Sequence, residues 1–209
     1  MKTKTRSLTL TAILVAIMLI MGFVPYLGFI ILGPVTITLM CIPVIVGTMV
    51  LGLRTGIGLG ALFAVISIAK MFTMPDAFSA LVVGDFGTYG LLYCICLIAP
   101  RLLIPVVTWF AGKAMKTKNA FANLGVASLA GSLTNTAGYL FLVSLTLTPL
   151  LCSLYNVNAA GAMAVIWTIV LTNGLPEAIA ATLICPPIIK ALRKTVPMIP
   201  KAKPKEITG

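Results

Sequence analysis

The chain has 209 residues, of which 60% are hydrophobic and 9% charged, with a formal net charge of +11. A soluble domain carries about 25% charged residues, so this composition excludes a water-soluble fold. The basic residues lie at the ends of apolar runs and not in one patch, which argues for a membrane topology signal and against a nucleic-acid partner.

Apolar runs of about 20 residues, the length that crosses a bilayer as a helix, recur along the sequence, and the short alternating segments of a membrane β-barrel are absent. The first run, 8–23, follows Lys2, Lys4 and Arg6. No cleavage motif follows it, so it is expected to stay as an anchoring first helix. Ala12 and Ala16 are four apart and give it a small-residue face, suited to close packing within the chain or against another subunit. Pro25, Gly28, Gly33 and Pro34 then mark a bend. The second and third spans are expected over 35–53 and 55–72. Gly52, Gly56 and Gly60 repeat every four residues around their junction and favour close helix contact. A long connection, 73–90, holds Pro75, Asp76, Gly84, Asp85, Gly87 and Gly90. The apolar, glycine-rich stretch 78–93 is expected to form a lid that dips into the outer face. The fourth span, 91–114, is interrupted by Pro100 and Pro105 and carries Arg101. The fifth covers 124–147 and the sixth 160–192.

The expected fold is therefore an all-α integral membrane protein of six transmembrane helices, a multi-pass protein of the cell membrane in contact with lipid. It comprises a membrane domain over 1–194 and a basic cytoplasmic tail over 195–209, proline- and lysine-rich and expected to be disordered. Placing the N-terminus in the cytoplasm puts Lys2, Lys4, Arg6, Arg54, Lys113, Lys116, Lys118, Lys190, Arg193, Lys194 and the tail lysines on that side and only Lys70 outside. This asymmetry sets the orientation, and an even number of spans returns the C-terminus to the cytoplasm.

Arg101 is then left inside the membrane. A charge there costs about 2.5–3.5 kcal/mol or more and usually faces a cavity or a partner. Counting 1.5 Å per residue from Lys113 puts it about 18 Å above the cytoplasmic boundary, in the outer half of the bilayer. Its planar fork suits a ligand carboxylate or phosphate; the alternatives are a structural ion pair or snorkelling to the surface. Glu177, about 20 Å above the Lys190 boundary, is at nearly the same depth. It either pairs with Arg101, orients it toward a ligand, or serves as a proton or sodium site. On the fifth span, Ser128, Ser132, Asn135 and Tyr139 are spaced four, three and four and share one face. The two serines suit hydrogen bonds between helices, whereas Asn135 and Tyr139, which sit higher, suit a ligand. On the sixth, Asn173-Gly174-Leu175-Pro176-Glu177 interrupts an apolar helix, because Pro176 cannot donate to the carbonyl of Thr172. Irregular backbone at membrane depth is tolerated where it lines a cavity or is packed in protein. Arg101, Asn135, Asn173 and Glu177 thus converge from three spans on the outer half of the bilayer, which points to a pocket.

No catalytic constellation accompanies them. The chain has no histidine and no phosphate-binding loop: Gly112-Lys113-Ala114 lacks the Ser or Thr that would hold magnesium. An enzyme is therefore not expected, nor a resident cofactor or metal. Cys41, Cys94, Cys96, Cys152 and Cys185 contain no CxxC pair and read as small buried hydrophobes. Transport must draw its energy from a partner or from an ion gradient.

Several stretches, in order along nearly the whole chain, resemble the substrate-binding component of an energy-coupling factor vitamin transporter. They are Leu8-Thr9-Leu10-Thr11-Ala12-Ile13-Leu14-Val15-Ala16, Ile42-Pro43-Val44-Ile45-Val46-Gly47 leading to Leu51-Gly52, Ala99-Pro100-Arg101-Leu102-Leu103-Ile104, Gly131-Ser132-Leu133-Thr134-Asn135-Thr136, and Asn173-Gly174-Leu175-Pro176-Glu177-Ala178-Ile179 followed by Pro186-Pro187. The resemblance implies a six-helix protein that captures a vitamin from outside. It also implies partnership with a transmembrane coupling subunit and two cytoplasmic ATPases, with Ala12 and Ala16 as the docking face and toppling in the membrane as the release step. The sequence is most similar to the pantothenate branch, a ligand that an Arg for its carboxylate and Asn side chains for its hydroxyl and amide groups would suit. The apolar region 78–96 does not align with the family pattern. A self-sufficient proton- or sodium-coupled carrier of a small organic anion is the other reading, though six spans without an inverted repeat are few for it.

Overall fold

A computed structural model of the protein describes residues 2–24, 27–32, 35–114 and 119–195. The tail beyond Thr195 and the lysines at 116 and 118 lie outside the described residues. Five helical segments are long and apolar enough to cross a membrane: residues 5–23, 53–73, 86–114, 120–146 and 159–194. Their outward faces carry large apolar side chains such as Leu91, Phe141, Leu145 and Trp167, each more than 60% exposed. Such a surface suits lipid and not water, and the chain is an integral membrane protein.

Helix α1 spans Lys2–Phe23. Where a continuous second span was expected over 35–53, the structure has a two-stranded antiparallel ribbon and a short helix. Strands β1 (Phe29–Leu32) and β2 (Val35–Thr38) pair Phe29 with Thr38 and Leu32 with Val35, so the fold is not purely helical. Val35-Thr36-Ile37-Thr38 is all β-branched, which stiffens χ1 and favours extended backbone over helix. The helix that follows, α2 (Cys41–Leu51), is 11 residues long, about 17 Å at 1.5 Å per residue and too short to span a core of about 30 Å. All of α2 but Ile42 is buried, so it forms the centre of the bundle.

Helix α3 (Leu53–Thr73) starts at Gly52, whose φ of +101° only glycine adopts readily. It runs against α5 (Phe86–Ala114). A Cβ added to Gly60 would stand 2.5 Å from the carbonyl oxygen of Arg101, so the bare backbone at Gly60 lets the two helices touch at the height of that arginine; of the glycine repeat, Gly56 and Gly60 pack within the chain and Gly52 faces open space. Between them, α4 (Ala77–Gly84) is capped by Asp76, whose carboxylate accepts from the Ser79 amide at 2.8 Å and its hydroxyl at 2.7 Å. The region expected to be a lid is thus a short helix followed directly by α5, which begins five residues before the expected boundary. Helix α6 (Ala120–Thr146) is followed by a short helix α7 (Thr148–Tyr155), which lies between the expected fifth and sixth spans. The last crossing is composite: α8 (Ala159–Ile169), a π-helical turn (Val170–Gly174) and α9 (Leu175–Thr195).

Buried apolar residues form two clusters. One centres on α2 and includes Ile104, Leu124, Ala127, Ala181, Cys185 and Ile189. The other joins α4 and α7 to Tyr93, Cys96, Leu97, Leu140, Val143 and Ile166. On each of the three helices that carry candidate site residues, the polar residue falls between the clusters: Arg101 between Leu97 and Ile104, Asn135 between Ala127 and Leu140, Asn173 and Glu177 between Ile166 and Ala181. The polar groups therefore form a layer inside an apolar bundle. The five cysteines are all free thiols, three of them buried.

Candidate ligand-binding cavity

The layer opens onto a cavity of about 130 Å³. A single water needs about 10–15 Å³ on this scale, so the space suits a small organic molecule. Arg101, Asn135, Tyr139, Asn173 and Glu177 all line it. Apolar walls come from the second cluster, with Phe78, Tyr93 and Leu97 on one side and Val143 and Ile166 on the other.

Arg101 owes its position to the two prolines that flank it. Pro100 has no N–H, so the carbonyl of Cys96, four residues earlier, loses its helical donor. The Arg101 Nη1 turns back and donates to that carbonyl at 3.3 Å. Pro105 likewise leaves the Arg101 carbonyl without a helical donor, and this is the carbonyl that abuts Gly60. The guanidinium lies between two aromatic rings, 5.3 Å from the centroid of Phe63 and 5.1 Å from that of Tyr139, a cation–π arrangement that restrains its swing. The Tyr139 hydroxyl is 3.3 Å from that of Tyr93, and Tyr93 packs edge-on to Phe78 at 5.6 Å. An aromatic chain therefore links Arg101 to α4. Arg101 is only 7% exposed, and its Nε has no hydrogen-bond partner.

Glu177 does not neutralise it. The Glu177 carboxylate accepts from the Asn135 Nδ2 at 2.9 Å and from the Thr136 hydroxyl at 3.0 Å, and no ion pair within 4.0 Å joins it to Arg101. The two charges are buried in one layer but held apart by different partners. The π-helical turn accounts for the neighbouring asparagine. The Leu175 amide donates to the Val170 carbonyl five residues back, the wider ring that accommodates Gly174 and Pro176, and Asn173 is buried within it. Two further buried polar atoms in the layer lack partners: the Asn173 Nδ2, a donor, and the Asn135 Oδ1, an acceptor. Buried polar groups are nearly always paired, so three orphans around one cavity mark a place where a ligand completes the bonding.

Lys70, Asp76, Thr136, Tyr93 and Phe78 also line the cavity without having been singled out from sequence. The aspartate cap ahead of α4 was the available signal for Asp76: an acid three residues before Ser79 at the start of an apolar run is a helix-start pattern. Ser128, expected to bond between helices, donates its hydroxyl to the Leu124 carbonyl of its own helix at 2.8 Å and also bonds the Cys185 thiol of α9. Ala12 and Ala16 are exposed and do not line the cavity. They lie on α1, of which 22% is buried against 33–44% for the other long segments, the least covered of the five.

Residues 6–189 match the family model for the substrate-specific component of ECF transporters. The chain belongs to this family. It is a transport protein of the membrane and not an enzyme, and it works with the energising module that defines the ECF class. Among relatives, the chain is 30% identical over 202 residues to the pantothenic acid transporter PanT of Lactococcus lactis subsp. cremoris, covering 92% of this chain and 96% of the relative. It is 28% identical over 147 residues to the pantothenate transporter PanT of Leuconostoc mesenteroides subsp. mesenteroides, covering 66% of this chain and 68% of the relative.

Proposed function

We propose that this substrate-specific component captures pantothenate from outside the cell and passes it to the cytoplasm with a transmembrane coupling subunit and two ATPases. The observation that carries the reading is Arg101: a buried guanidinium with one neutral acceptor, an unpartnered Nε and no carboxylate partner in the described chain. An unpaired buried charge is costly, and the carboxylate of a ligand supplies the missing counter-charge through a charge-assisted hydrogen bond. The orphan donor on Asn173 and orphan acceptor on Asn135 add complementarity for the carbonyl, amide and hydroxyl groups of pantothenate. The names of the two relatives support the same ligand. Mass spectrometry of small molecules released from the detergent-purified protein tests the reading: pantothenate in near one-to-one yield is expected, and a different, cationic or wholly apolar ligand would refute it.

The same reading takes the β1–β2 ribbon with α2 as one crossing, making six in total with both termini in the cytoplasm, in line with the charge asymmetry. Single cysteines introduced at Asn156 and Lys113, compared with the unaltered protein as background, are expected to react with a membrane-impermeant maleimide from outside at 156 only. Labelling at 113 in intact cells would reverse the orientation. Ala12 and Ala16 are taken as the docking face for the coupling subunit.

A further inference from the structure

The cavity wall carries side chains of both charges, Lys70 and Arg101 with Asp76 and Glu177. Arg101 lies against Phe63 and Tyr139. Glu177, 3% exposed, has both carboxylate oxygens already accepting hydrogen bonds, from Asn135 and Thr136. Both oxygens therefore act as acceptors in this arrangement. If the role of Glu177 were only to neutralise Arg101, the two would be paired; instead Asn135 and Thr136 hold the carboxylate apart from the guanidinium, still on the cavity wall.

We propose that Glu177 sets the charge a ligand can carry: it selects a molecule with one anionic group, held at Arg101, and a neutral hydroxyl or N–H donor at its far end, and it rejects molecules with a second anionic group there. The inference rests on the pantothenate reading above and adds a specificity-determining residue to it. A hydroxyl or amide N–H facing Glu177 donates to a carboxylate oxygen, which has lone-pair capacity left after one bond. A phosphate ester at the same position brings about −1.5 to −2 charges against a carboxylate in a site sheltered from water, where like charges repel strongly. The orphan Asn135 Oδ1, an acceptor with no donor, reinforces the same preference.

The test compares three probes by competition calorimetry: pantothenate, the phosphate ester of its primary hydroxyl, and the uncharged acetate ester of that hydroxyl as a control for size. In the wild-type protein the acetate ester should bind at least about tenfold more tightly than the phosphate ester, since like-charge juxtaposition is disfavoured well beyond the 1.4 kcal/mol that makes a factor of ten. In Glu177→Gln, which keeps an acceptor for Asn135 and removes the charge, the preference for pantothenate over the phosphate ester should narrow by about tenfold or more. Equal affinity for the two esters in the wild type would overturn the inference even if the variant fails to fold. So would an unchanged preference in a folded Glu177→Gln protein. Failure of pantothenate itself to bind the wild type would instead remove the ligand reading, and this inference with it.

Discussion

Arg101→Ala is expected to weaken pantothenate binding by roughly one to three orders of magnitude. A hydrogen bond to a charged group contributes about 1.5–3 kcal/mol, and more where a charge is left unpaired; each 1.4 kcal/mol is about tenfold in affinity. Arg101→Lys should recover only part of the loss. The arginine is fixed by three contacts a lysine cannot reproduce together: the Cys96 carbonyl freed by Pro100, and the faces of Phe63 and Tyr139. A point charge on a flexible stem also cannot present a planar fork to a carboxylate. Calorimetric titration gives the affinities. Melting curves show whether the ligand-free fold survives: with no ion pair to Glu177 to break, the ligand-free melting temperature of Arg101→Ala should move far less than the stabilisation gained on adding pantothenate, which scales with the logarithm of ligand concentration over Kd. A large drop in ligand-free stability that Glu177→Gln repairs in the double variant would show instead that the two residues are coupled structurally.

The second large effect is expected on α1. Replacing Ala12 and Ala16 together by leucine should abolish uptake in cells while leaving pantothenate binding by the isolated protein within about twofold. Both alanines are exposed, on the least covered of the long helices, and neither lines the cavity. Adding two branched side chains to a small-residue face blocks the close backbone approach that such faces allow without entering the site. Normal uptake, with the coupling subunit still co-purifying, would remove the docking role.

These expectations draw on what the sequence makes legible and on what it hides. Depth was legible: 1.5 Å of rise per residue, counted from the basic residues that mark one boundary, placed Arg101, Asn135, Asn173 and Glu177 in the outer half of the bilayer, and in the structure they line one cavity. The break at Asn173–Glu177 was legible too, because proline and glycine at one helical turn leave few ways to continue, and the structure continues by a π-helical turn. The ribbon at Phe29–Thr38 was not read, since hydropathy over a span-length window treats Val-Thr-Ile-Thr as part of an apolar run. The β-branched composition of those four residues was the overlooked sign. Helices α4 and α7, at eight residues each, are too short to register as spans, so Phe78 and Tyr155 reached the cavity wall unannounced. The use of the Cys96 carbonyl by Arg101 depends on how a side chain folds back along its own helix, which spacing alone does not give. Nor does spacing decide whether two opposite charges at one depth touch: Arg101 and Glu177 lie in the same layer without forming an ion pair.

The most direct measurement of the central claim is an experimental structure of the protein with pantothenate bound. The account predicts the ligand in the cavity between α5, α6 and the π-helical turn, with its carboxylate within hydrogen-bond distance of the Arg101 guanidinium and its hydroxyl end toward Glu177. A carboxylate placed away from Arg101, or pantothenate bound outside this cavity, would contradict it.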